Sequence, residues 1–144
     1  MKISCRNISG CALVVLGLVM ALSIPRIAQA EKLREFYKNW TPIEFLGRVD
    51  RISPEGDTLF VNEKLVVLVD LVYQGKHYAT NIKDSDGEKI NFGKIKVGSF
   101  VFIRGGVLPD NRVGARDIFL LPKQILNKEI KNYPALTQAG SWQH

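Results

Sequence analysis

The chain has 144 residues, 46% of them hydrophobic and 24% charged, with 20 Lys and Arg against 14 Asp and Glu and a formal net charge of +6. That apolar share excludes an intrinsically disordered chain, and the length allows one modest core. Two cysteines and two histidines are too few for a disulfide framework or a three- to four-ligand zinc site within the fold.

Lys2 and Arg6 precede 13 uncharged, mainly apolar residues, 12–24, and Ala28-Gln29-Ala30 follows as a small-x-small pattern. This order predicts a secretory signal peptide over 1–30, cut after Ala30. The apolar stretch is shorter than the roughly 20 residues that span a bilayer, so no membrane span is expected after processing. Cys11 lies before the apolar stretch instead of after it, which argues against a lipid anchor. Cleavage removes both cysteines and three basic residues, Lys2, Arg6 and Arg26. It leaves 114 residues with 17 basic and 14 acidic side chains, a net charge of +3. The expected location is periplasmic or secreted, and the expected attraction to anionic surfaces is mild.

Residues 31–42 predict a short amphipathic helix. Leu33, Phe36, Tyr37 and Trp40 share one face, and Pro42 ends it. Its aromatic stripe reads as a cap on a barrel end. Extended structure follows at 43–52, with Gly47 as the point where a long strand bulges or coils. Ser53 to Asp57 is a turn, 58–61 a short strand, and 65–73 the most β-prone run. Gln74-Gly75-Lys76 turns that run into a pairing strand at 77–82. Residues 83–98 read as a surface connection with at most one helical turn. Two apolar runs, 100–104 and 113–121, flank Pro109, Asp110, Asn111 and Gly114 and predict a hairpin. Pro122 stops the last strand, and 123–144 reads as a tail with a frayed end.

Hairpin after hairpin in about 80 residues points to an all-β domain over 43–122: a small five- to six-stranded antiparallel barrel that removes its own edges by closing. Its expected interior holds Val67, Val69, Val101, Ile103 and Ile118. Gly47-x-Val49-x-x-Ile52, Gly98-x-x-Val101-x-Ile103-x-Gly105 and Ala115-x-x-Ile118 followed by Leu120-Leu121 resemble the OB-like domains of unknown function in exported bacterial proteins. The resemblance implies a fold and hardly an activity. Tyr78, Asp84, Gly87 and Ile90 are loosely similar to a segment of the periplasmic OB-fold stress proteins. The tail's Asn132-Tyr133-Pro134 is similar to that of the periplasmic haem chaperones. No histidine lies between Pro122 and that stretch, so haem attachment does not carry over and no cofactor is expected.

For chemistry, His77 is the one histidine inside the fold, and a hydrolase centred on it would need a serine beside it. Ser53, Ser85 and Ser99 lack a nucleophile-elbow pattern. Asp84, Asp86 and Glu88 alternate around a glycine turn and suggest a hard-cation site, as in a cation-binding envelope stress protein. The glycine comes too early for the calcium-loop pattern. Arg48, Arg51, Arg104, Arg112 and Arg116 with Phe45, Tyr73, Tyr78 and Phe102 are partial ingredients of a nucleic-acid groove. Interleaved Asp50, Asp57, Asp70 and Asp117 and the export signal argue against that use. The expectation is a non-catalytic binding module. Its ligand surface is placed at Arg104, Arg116, Phe102 and Arg112, suited to an anionic peptide, glycan or lipid head group of the envelope.

Overall fold

A computed structural model describes residues 40–73 and 75–140. The expected signal peptide, nearly all of the expected N-terminal helix, Trp142 and His144 lie outside the described residues. Among the described residues eight strands form: β1 (Thr41–Ile52), β2 (Thr58–Val61), β3 (Lys64–Leu68), β4 (Asp70–Tyr73), β5 (Lys76–Ala79), β6 (Asn81–Asp84), β7 (Phe100–Val107) and β8 (Val113–Leu121). A single helical turn, α1 (Pro134–Thr137), follows two 3-10 turns at Phe92–Lys94 and Asn127–Asn132.

The main sheet runs β3-β2-β1-β7-β8-β6, and a further β3–β8 pairing closes β1, β2, β3, β8 and β7 into a five-stranded barrel. An antiparallel barrel was the expectation, and here the structure corrects it. β3 pairs with β8 in parallel, and so does β6. The reason is one of parity: five strands in a ring cannot alternate direction at every contact, so at least one neighbouring pair must run parallel.

The sequence also predicts one hairpin from 65–73 and 77–82, but only its outer half pairs with itself, as β4–β5. The inner halves, β3 and β6, both turn to the open edge of β8, at Val113–Ala115 and Asp117–Leu120 respectively. The break between them is clasped by Thr80. Its hydroxyl accepts from the Val69 N–H at 2.7 Å and donates to the Ala115 carbonyl on β8 at 2.7 Å. Every backbone group that leaves one ladder must find another partner, and Thr80 supplies one at the splice.

The barrel interior is Val49, Leu59, Val61, Val66, Ile95, Val101, Ile103, Val113, Ala115 and Ile118. Val66 takes the place expected for Val67, which is half-buried. The period of two puts only one parity of β3 inside, and pairing of Val66 with Leu59 selects it. A second core lies outside the barrel: Phe102, Phe119 and Leu121 from β7 and β8 are covered by Ile125 and Leu136 of the tail. The tail is therefore packed through Leu136, where a frayed end was expected. Both parities of β7 and β8 are apolar, and a strand buried on both faces requires a cover.

The bulge of β1 lies between Val49 and Arg51, not at Gly47. Gly47 is needed for close approach, since a Cβ there would overlap Val61 Cγ1 of β2. A second close approach is more demanding. A Cβ on Gly105 would overlap the Gly114 carbonyl oxygen of β8, a backbone atom that cannot rotate away. Gly105→Ala is expected to cost about 2 kcal/mol through forced separation of β7 and β8. For a domain of this size that is a fall in Tm of roughly 8–16 °C. An unchanged melting curve would show that the two strands have room to spare.

Candidate functional site

The ligand surface read from the sequence is not open. Arg104 is 7% exposed and Phe102 is 2% exposed. The Arg104 guanidinium donates from Nη2 to the Leu136 carbonyl at 2.5 Å and from Nη1 to the Gln138 carbonyl at 2.8 Å. Its Nε donates to Glu44 Oε1 at 2.6 Å. The two carbonyls belong to the end of α1, where backbone acceptors have no partner inside the helix. The guanidinium carbon also lies 5.5 Å from the Phe102 ring centroid and 6.0 Å from that of Phe119. Arg104 and Phe102 thus hold the tail against the sheet.

Arg116 stands at the β7–β8 bulge and donates from Nε to Asp117 Oδ2 at 2.8 Å. Asp117 is 1% exposed and takes a second hydrogen bond from Asn81 Nδ2 at 2.9 Å. Gly140 packs so closely on this pair that a Cβ there would overlap both side chains. Arg112 is engaged within its own turn, donating from Nε to Asp110 Oδ2 at 2.6 Å. Desolvation pushes the Asp110 carboxyl up. Hydrogen bonds from the Arg112 backbone and guanidinium, with its charge, outweigh that and hold it below the usual carboxylate range.

The residues suggested for a cation do not converge. Asp84 Oδ1 accepts from the backbone N–H groups of Asp86 at 3.0 Å and Glu88 at 2.9 Å, closing the turn on itself. Among the described residues no group of three or more His, Cys, Asp or Glu is gathered as a metal site needs. His77 sits on the exposed β4–β5 hairpin with Nε2 2.5 Å from Asp70 Oδ1. Among the described residues no serine meets it. Ser53 Oγ donates to Asp57, and Ser99 Oγ accepts from the Lys96 N–H.

What the structure does present is a groove of about 340 Å³ at the opposite end of β7 from the Leu108–Arg112 turn. It is lined by Leu46, Gly47, Arg48, Phe100, Leu121 and Gln124, with Asn62, Val101 and Ile125 completing it. The register explains the assembly. Arg48 pairs with Phe100 and Leu46 with Phe102, while Phe100 also faces Leu121 across the β7–β8 ladder. Leu46, Arg48, Phe100 and Leu121 therefore share the outer face at one corner of the sheet, and Gln124 and Ile125 wall it where the tail begins.

The far wall is Asn62. It and Glu63 form a two-residue turn between β2 and β3 with φ of 48° and 65°, the left-handed pair that such turns require. The Asn62 amide donates to the Leu46 carbonyl at 3.2 Å and accepts from the Arg48 N–H at 3.0 Å, which docks the turn onto β1. Beyond Asn62 the surface continues as a shallow shelf of Asp50, Arg51, Phe60 and Glu63. There the Arg51 guanidinium carbon stacks 3.9 Å from the Phe60 ring centroid.

Of the sequence candidates, then, Arg48 and Arg51 fall on open surface, while Arg104, Arg116, Phe102 and Arg112 are held by partners of their own. Leu46, Phe60, Phe100 and Gln124 are the lining residues that sequence reasoning missed. The alternation Leu46, Arg48 against Phe45, Gly47 carries a signal for the first of them, because it places an apolar residue beside an arginine on one strand face.

No known protein family matches the chain, and no curated protein matches it significantly. Among solved structures, the fimbrial biogenesis protein PilY2 of Pseudomonas aeruginosa PAO1 is similar over 63% of this chain and 94% of its own, at 20% identity and a TM-score of 0.38. The barrel itself stands on its strand pairings.

Proposed function

We propose that this protein is an exported, non-catalytic OB-like barrel that binds a partner through the groove at Leu46, Arg48, Phe100 and Leu121. The strand order β1-β2-β3-β8-β7, closed by one parallel pair, supports the OB-like reading, which describes a five-stranded Greek-key barrel. One observation carries the binding role. The groove joins an apolar floor to Arg48, whose guanidinium has no acidic or aromatic partner among the described residues. Ligand sites pair an apolar lining with a few placed polar groups, and about 300–1,000 Å³ is their usual size.

The test is a photo-crosslinking amino acid placed at Gln124, on the groove rim, and in parallel at Asp110, at the other end of the hairpin. In intact cells the Gln124 position is expected to give a discrete adduct and the Asp110 position none. The adduct's chain is expected to begin at Glu31, as export with cleavage requires. Equal crosslinking at both positions, or none at either, would dismiss the groove. An adduct chain beginning at Met1 would dismiss cleavage.

A further inference from the structure

We infer that the groove takes an extended peptide segment of a partner protein, one that sets an apolar side chain on Leu46, Phe100 and Leu121 and a carboxylate on Arg48. This rests on the reading of the groove as the contact surface and names the chemistry of what fills it.

The five arginines of the described residues differ in one respect. Arg104 is tied to Glu44 and to two carbonyls, Arg112 to Asp110 and Arg116 to Asp117, while Arg51 lies over Phe60. Arg48 has neither an ion pair nor a ring among the described residues, and its exposed side chain lines the edge of the groove with the guanidinium beside Gly98. A guanidinium presents a planar fork of donors that matches a carboxylate, and charge-assisted pairs of this kind are the stronger hydrogen bonds.

The number of charges selects the partner. A polyanion such as nucleic acid needs a run of cations, but on the adjoining shelf Asp50 and Glu63 outnumber Arg51. An anionic membrane surface needs a cluster of Lys and Arg, whereas the lining of the groove holds one basic side chain, Arg48. A single carboxylate beside an apolar group fits one arginine over an apolar floor. The groove is open to solvent, so a long acyl chain would stay partly wet. An extended peptide instead keeps its backbone in water and buries alternate side chains. The rim supports that geometry with Gln124, which has both a donor and an acceptor.

Selection from a random peptide library on the purified full chain tests this. Enrichment of Asp or Glu next to an apolar residue is expected. Arg48→Glu should weaken the selected peptides by about tenfold to a hundredfold and shift selection toward Lys or Arg beside the same apolar residue. Leu46→Ser should lose the apolar preference while keeping the acidic one. Arg48 has no ion pair to lose among the described residues, so a melting curve unchanged from the parent shows that the charge reversal leaves the fold intact. Acidic preference that persists in Arg48→Glu would overturn the inference. So would Arg48-dependent binding to phosphatidylglycerol vesicles with no peptide selected. If either occurs while the Gln124 adduct still forms, the groove stands as the contact surface and only its assigned occupant falls.

Discussion

Arg104→Met is expected to lower stability by about 2–4 kcal/mol, because it removes the charge that holds the tail and leaves the buried Leu136 carbonyl and the part-buried Gln138 carbonyl without that donor. The Leu136 and Gln138 carbonyls lose their hydrogen bonds, and Asp117, at 1% exposure, loses a guanidinium 4.0 Å away. The exposed partner matters much less. Glu44 has a side chain 56% exposed, so water replaces it readily, and Glu44→Gln should cost under about 1 kcal/mol. Urea unfolding of the two variants separates these cases. Because the tail covers Phe102 and Phe119, Arg104→Met should also open Lys128 and Lys131 to trypsin before the barrel unfolds. Equal midpoints for Arg104→Met and the parent would mean that the tail is held by Leu136 and Ile125 alone.

Ile103→Asp should abolish the cooperative fold. Ile103 is fully buried in the barrel, opposite Phe45 of β1 and Ile118 of β8. A carboxylate there meets only apolar neighbours, and an unpaired buried charge costs several kcal/mol or forces protonation. Against a total stability of about 5–15 kcal/mol for a domain, that is most of the margin. Ile103→Val, which removes one methylene from the same place, should cost only about 0.5–1.5 kcal/mol. Thermal unfolding followed by near-ultraviolet circular dichroism distinguishes the two. A sharp transition near the parent's in Ile103→Asp would place this side chain outside the core.

The tail links the stability of the fold to the proposed contact surface. Ile125 belongs to the second core, and with its neighbour Gln124 it forms one wall of the groove. A barrel with a detached tail would keep Leu46, Arg48 and Phe100 but lose that wall. Arg104→Met is therefore expected to weaken groove binding without touching the groove, whereas Arg48→Glu should change what binds.

The strands of this protein were legible in its sequence because their signals are local. Turn residues at Ser53 to Asp57 and at Pro109 to Asn111 mark reversals, and the runs between them fit an extended chain. Val101, Ile103 and Ile118, expected in the interior, are fully buried. Pairing was not legible. Leu65 to Tyr73 looks like one strand, yet its first half joins β2 and β8 while its second half joins β5. That split depends on an open edge of β8, a strand some 40 residues further along the chain, and no local pattern reports it.

The site shows the same division. Arg104 and Arg116 carry no mark that separates a free surface arginine from one buried against a carbonyl, because the difference lies in what covers them. Phe100, Phe102, Phe119 and Leu121 did carry a hint, since apolar residues on both parities of a hairpin demand a second cover. That the cover is the segment around Ile125 and Leu136 is a long-range choice. The sequence determined by itself where the chain extends and turns and which parity of β7 faces inward, all consequences of backbone geometry and a period of two. Only the tertiary structure decided which of the described arginines are buried or paired, because burial and ion pairing depend on residues brought together from distant parts of the chain.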